Sequence, residues 1–227
     1  MGIFQVSEKW SVAYRDAHAG VLVMRGATNP AHHPALEQRK TSLEQELRER
    51  YAGQDRSALL QNPILQAYDR YYKHFKKTYH VQLQLESILF KGKSIPSVAA
   101  LVECMFMSEM DNLLLTAGHD LDKLQLPLTL DIANDTESYT LLRGESQTTK
   151  AGDMLIRDRA GIISSIIYGP DERTHIGAET TNAIFTIYAP AAISPNDVHR
   201  QLERIRDNVL VIEPNAQVET LDVYGGQ

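Results

Sequence analysis

Apolar residues change their spacing about midway along the chain. The run Gly20-Val21-Leu22-Val23-Met24-Arg25-Gly26 is short, continuous and bounded by glycines, which predicts a strand buried on both faces. A loop with Asn29, Pro30 and Pro34 follows. From Pro34 to Tyr51 the chain is mostly charged, with Leu36, Leu43 and Leu47 near helical spacing, so a surface helix with a narrow buried stripe is expected, stopped by Gly53. Leu65, Tyr68, Tyr72, Phe75 and Tyr79 then recur every three or four residues along one face of a helix, or of two short consecutive helices. Two more helices are expected, one over Val81 to Phe90 and one from about Ser97 to Leu115, its start marked by Ser94 and Pro96.

After Pro127 the period shortens to that of strands. They are expected at Leu128–Ile132, Tyr139–Leu142, Met154–Ile156, Gly161–Tyr168 and Ala183–Tyr188. Ser194 is placed to cap a last helix running through Leu202 and Ile205, followed by a short strand Val209-Leu210-Val211-Ile212 and a loose tail at Gly225-Gly226-Gln227. No repeat or low-complexity linker interrupts this order. The expected class is therefore α+β, with mixed and antiparallel sheets decorated by packed helices, in one domain over residues 1–227.

Composition narrows the chemistry more than it names it. With 227 residues, 43% of them hydrophobic, the chain can bury a full core without disulfides. Its only cysteine, Cys104, lies in an apolar run, so neither an internal disulfide nor a multi-cysteine zinc site is available, which fits a reducing compartment. No apolar run reaches the roughly 18 residues that cross a bilayer, and Met1-Gly2-Ile3-Phe4-Gln5 lacks a basic region with an apolar signal core. A cytoplasmic location without membrane attachment is expected. The net charge of −6 argues against a general nucleic-acid coat and against DNA as a partner, and leaves room for a small RNA footprint on a local basic patch.

Familiar catalytic signatures are missing. No Gly-rich phosphate loop, His-Glu-x-x-His helix, nucleophile elbow or Cys-His-Asn pattern occurs. His32-His33 beside Pro34 suits an exposed loop better than a metal site. The mixture of aromatic and basic residues from Tyr68 to His80 could stack bases and contact phosphates, but aromatics at this spacing usually form a core face with lysines solvated behind them. Lys73, Lys77, Lys91 and Lys93 are the lysines that could approach an RNA end. Met105, Met107 and Met110 are read as core filler.

Two segments carry a resemblance. One is Lys91-Gly92-Lys93-Ser94-Ile95-Pro96-Ser97-Val98, continued by Ala117-Gly118-His119-Asp120-Leu121-Asp122-Lys123-Leu124. The other is Ile156-Arg157-Asp158-Arg159-Ala160-Gly161, then Asp171-Glu172-Arg173-Thr174 and Glu179-Thr180-Thr181-Asn182. In order and spacing, from about residue 15 to residue 190, they resemble the third and fourth structural domains of the phenylalanyl-tRNA synthetase beta chain, and more closely the free-standing proteins built from that editing module.

The resemblance implies a three-layer β/β/α fold, no metal, no cofactor, and the aminoacylated acceptor end of a tRNA as partner, leaving open a docking aminoacyl-tRNA synthetase. It implies hydrolysis of a wrongly attached amino acid, an activated ester for which a positioned water and a polarised carbonyl suffice. It places Glu172 on the residue that recognises the polar group of the wrong amino acid, with Arg173 and Thr174 orienting it or touching the tRNA end. His119 would donate to the ester carbonyl or hold water, while backbone N–H groups at Gly118 or Gly161 are candidate oxyanion donors. Glu172, His119 and Gly161 are then expected to line one concave pocket. Asp120 and Asp122 are expected to fix their loop.

Read without the resemblance, Glu172 is an exposed carboxylate after the turn Gly169-Pro170-Asp171, and His119-Asp120-x-Asp122 is a polar loop after the helix ending near Leu115, turned by Gly118. The sequence also departs from the synthetase pattern, with Met105, Phe106 and Ala117 where the family has a Thr-Asn pair and a histidine. Tyrosine as the substrate does not carry over. The rival readings are a non-catalytic module that binds the tRNA end or an amino acid, and a hydrolase of small esters or amides.

Overall fold

The computed structural model describes residues 2–225. In chain order its elements are β1 (Phe4–Val6), α1 (Glu8–Ala13), β2 (His18–Arg25), α2 (Pro34–Arg50), α3 (Arg56–Leu59), α4 (Pro63–His74), α5 (His80–Lys91), α6 (Ala100–Asn112), β3 (Leu115–Asp120), a 3-10 turn (Leu121–Lys123), β4 (Leu128–Ile132), β5 (Ser138–Thr140), β6 (Ser146–Thr148), β7 (Met154–Asp158), β8 (Gly161–Ser165), β9 (Gly169–Pro170), β10 (Ala183–Ala189), α7 (Pro195–Ile212) and β11 (Gln217–Gly225).

An antiparallel sheet ordered β11-β2-β10-β3 lies at the centre, and a mixed sheet ordered β1-β4-β7-β8-β9 lies beside it, only β1 and β4 running parallel. Alternation along a strand assigns each face. On β10, Tyr188 points to the mixed sheet, where its hydroxyl shares a hydrogen bond with Ser164 of β8. On β2, Gly20 points the other way; a Cβ there would meet Val198 of α7 at 2.7 Å, so a glycine lets helix and sheet close together. Thr116 of β3 faces the same side and accepts from Gln201 of α7 at 3.1 Å. The order of layers is thus sheet, sheet, helix. Every residue of β10, and β2 from Ala19 to Met24, is buried because both faces are covered.

The passage from α6 to β3 is made without glycine. Leu113 takes φ +65°, and the amides and carbonyls freed there are met by side chains. Glu109 accepts from Thr116 N at 2.8 Å, Tyr68 accepts from Leu115 N at 2.9 Å, and Tyr79 donates to Leu113 O at 2.9 Å. The tyrosines of the α4 face are therefore core residues whose hydroxyls tie helix to strand. Tyr71 extends this by donating to Asp153 and accepting from Met154 N, both at 2.7 Å.

Several expectations need correction. Val209–Ile212 is the end of α7 and not a strand, because Val198, Leu202, Ile205, Val209 and Ile212 form one helical stripe of buried residues. The last strand is instead β11, and Gly225 belongs to it; Gly226 and Gln227 lie outside the described residues. The helix expected to reach Leu115 stops at Asn112, and Gly118, His119 and Asp120 lie in a strand rather than a loop. Ser97 lies outside α6, whose N-cap is Ala99. The strands expected to reach Leu142 and Tyr168 end at Thr140 and Ser165. β1 and α1 were not anticipated at all.

Candidate functional site

The β7–β8 hairpin turns through Arg159 and Ala160, with Asp158 paired to Gly161 and Gly161 at φ +143°, a conformation open to glycine. Asp158 closes this turn from inside, its carboxylate accepting from Ala160 N at 2.8 Å, Gly161 N at 3.1 Å and Gln125 N at 2.8 Å. The same carboxylate takes both terminal nitrogens of Arg173 at 2.9 Å each. Such a fork is geometrically specific as well as charge-assisted. Burial works against ionisation of Asp158, but Arg173 and the turn amides outweigh it and hold its carboxyl below the usual range.

One residue on, Thr174 is buried and its hydroxyl bonds the carboxylate of Asp171, while His119 Nδ1 lies 2.8 Å from the same hydroxyl. With the single hydroxyl proton of Thr174 directed to Asp171, Nδ1 carries the imidazole proton and Nε2 is left as an acceptor. That Nε2 is buried and has no hydrogen-bond partner among the described residues. Burial, aided by the nearby Arg173 charge, pushes the His119 pKa down to about 3, so the ring is neutral at physiological pH.

Glu172 sits between Asp171 and Arg173, both anchored, its own amide donating to Thr140 O at 3.0 Å. Its side chain is exposed at the edge of an open depression of about 400 Å³, whose walls include Tyr139, Thr140, Gly161, Ile162 and Arg173. Of the three residues expected in one pocket, Glu172 and Gly161 meet there. His119 does not, being fully buried behind Thr174. The Gly161 amide is committed to Asp158 and is not free to receive an oxyanion. Gly118 lies within β3, and a Cβ on it would meet the Ile176 side chain at 2.8 Å, so the space at this glycine is taken by Ile176.

The remaining candidates lie apart from the depression. Lys73 is exposed and paired to Asp69 at 2.7 Å, and Lys77 stands 4.8 Å over the ring of Tyr168, both by the end of α4. Lys91 and Lys93 are exposed at the end of α5, where Gly92 takes φ +64° as its cap. Asp120 accepts from Asp122 N and from the Thr180 hydroxyl, and Asp122 accepts from Asn182, so these carboxylates tie their own turn to the segment 180–182. Among the described residues no group of three His, Cys, Asp or Glu side chains is placed to hold a metal, and no helix is long and apolar enough to cross a membrane.

The buried network beneath Glu172 escaped the sequence reading. Asp158 and Asp171 were visible only as members of their segments, and nothing local showed that the turn after β9 would fold Arg173 onto Asp158 or that β3 would bring His119 against Thr174.

Residues 65–208 match the family model described as the B3/4 domain, a span of well over half the chain. The chain belongs to the B3/4 domain family. The match starts well after residue 15, where the resemblance begins, and runs past its end at residue 190. Among solved structures, an N-terminal fragment of the phenylalanyl-tRNA synthetase beta subunit from Pyrococcus horikoshii is similar at 11% identity and a TM-score of 0.49, covering 96% of this chain and 54% of that one. The B3/4 chain thus spans about half the length of that fragment. Comparison with curated proteins returns no match.

Proposed function

We propose that this B3/4 protein binds the acceptor end of a mischarged tRNA and hydrolyses its aminoacyl ester in trans. The observation that carries the reading is Glu172, an exposed carboxylate held by buried neighbours at the edge of a depression on a chain of this family. A carboxylate carried on such an anchored backbone can accept a hydrogen bond from a substrate hydroxyl or ammonium, and can orient a water toward the ester carbon. Arg173 and Thr174 act on substrate through Glu172, since their polar groups are spent on Asp158 and on Asp171. His119 is a neutral, sealed support of Thr174 and takes no proton from the reaction.

One observation favours a second reading, in which the protein binds the tRNA end without turnover. Neither an imidazole nor the Gly161 amide reaches the depression, so the hydrolytic parts supplied by the chain reduce to Glu172 and whatever water it holds. Incubating the protein with tRNAs mischarged with different amino acids decides between the two. Deacylation of at least one of them well above the buffer rate supports hydrolysis. Retention of the tRNA on the protein with every ester intact supports binding alone. Turnover of a free small ester with no tRNA present contradicts both.

A further inference from the structure

A second recess, sharing no residue with the Glu172 depression, lies between α5, α6 and the segment 92–96. Its volume is about 360 Å³, within the range of small-ligand pockets. Its apolar walls are Leu83, Ile88, Ile95, Pro96, Phe106 and Met110. Leu83 is 44% exposed there, on a helix whose Val81, Leu85 and Ile88 are buried and whose Phe90 is exposed to the same degree. The polar part of the lining is His80, Gln84, Ser87, Lys93 and Ser94; burial lowers the His80 pKa, so Lys93 is the cation of the lining.

The wall formed by residues 93–98 has no regular secondary structure, yet it is fastened from below with unusual care. Three residues of α2 at four-residue spacing, Lys40, Glu44 and Arg48, each reach it. Lys40 Nζ donates to Ser97 Oγ at 2.8 Å, Glu44 accepts from Ile95 N at 2.7 Å, and Arg48 donates to Lys93 O at 3.3 Å. Glu103 of α6 completes the fastening by accepting from Val98 N at 2.9 Å and from Lys40 at 3.0 Å. The side chains of Lys40 and Glu103 are only 5% and 3% exposed. Burying charge costs free energy that a hydrophobic pair would not, so its placement under an irregular loop selects one loop shape rather than adding stability. The result is a wall formed in advance of any ligand, which lowers the entropy lost on binding.

From this geometry we infer that the α5–α6 recess is a binding site for a small ligand with one apolar ring and one carboxylate. The ring fills the space between Phe106, Ile95 and Leu83, and the carboxylate pairs with Lys93 at the solvent edge. The size admits a ring with a short side chain, and the single cation selects a monoanion over a neutral analogue.

Titration calorimetry with indole-3-acetate and its neutral isostere indole-3-acetamide tests the inference on the full chain. The expected result is at least fivefold tighter binding of the acid, a difference removed by Lys93→Gln. Ser87→Trp, which fills the recess from an exposed face of α5, is expected to abolish binding of both compounds while thermal unfolding stays unchanged. The inference is overturned if the acid binds no tighter than the amide, if neither binds at millimolar concentration, or if binding survives Ser87→Trp in the folded variant.

Discussion

The two recesses of this B3/4 protein are both bordered by irregular loops tied down with charge, and they are tied in opposite ways. Under the loop at 93–98 the charges are buried on two helices, Lys40 against Glu103, and the surface presented is apolar. Around Glu172 the tie is a fork between half-exposed Arg173 and buried Asp158, and the surface presented is a free carboxylate. The first arrangement spends charge to shape an apolar wall. The second anchors the backbone beside a charge that is left in water. Rigidity is common to both, and the chemistry offered to a ligand differs.

The largest effect is expected where a buried charge loses its partner. Lys40→Met leaves Glu103 unpaired in the interior and should cost about 3–5 kcal/mol in urea denaturation. Adding Glu103→Leu should restore much of that loss, because the penalty belongs to the lone charge. If the double variant is no more stable than the single one, the loop rather than the ion pair is what Lys40 supports. Asp158→Asn should cost less, about 1–3 kcal/mol. An amide cannot accept from Arg173 and the turn N–H groups with both atoms, but Arg173 is 38% exposed and water screens its share. A cost equal to that of Lys40→Met would erase the contrast between the two ties.

Glu109 sharpens the comparison from a third position, as a fully buried carboxylate that accepts one amide and has no cation partner among the described residues. Burial pushes its pKa from 4.5 up to about 8. The proton is therefore held more tightly in the folded chain than in the unfolded one. Its contribution to stability is full below pH 4.5 and is lost as pH rises through about 8. Glu109→Gln should remove that loss, so denaturation midpoints of the variant and the parent diverge between pH 5 and pH 8. Equal slopes over this window would show that Glu109 is ionised throughout.

Much of the fold could be read from the sequence wherever one period ran unbroken. The strand at Val21 to Met24 and the tyrosine face of α4 were legible because burial there follows from local spacing alone. β1 was not, since a three-residue strand is stabilised by β4, which pairs with it from 124 residues away. Val209–Ile212 misled because its four apolar residues look like a strand in isolation and like a helix only in phase with Val198 and Leu202. The site was legible as a set of segments and not as a geometry. Glu172 could be singled out, and its exposure matches the reading of a loop carboxylate; only its place in the lining of the depression beside Gly161 speaks for a role toward substrate. The sealing of His119 could not be seen, because it depends on Thr174 and Asp171 arriving from the turn that follows β9. Lys40 and Glu44 looked like surface charges on a charged helix; only the return of the 93–98 loop buries them.

Glu172→Ala should change stability by no more than about 0.5 kcal/mol, as an exposed side chain free of the buried network beneath it. Its effect on function is the most direct test of the account. Single-turnover deacylation of a mischarged tRNA, measured with wild type and Glu172→Ala at equal tRNA occupancy, is expected to show a rate at least tenfold lower in the variant with unchanged thermal unfolding. Equal rates in the two proteins would contradict the assignment of Glu172 to the substrate.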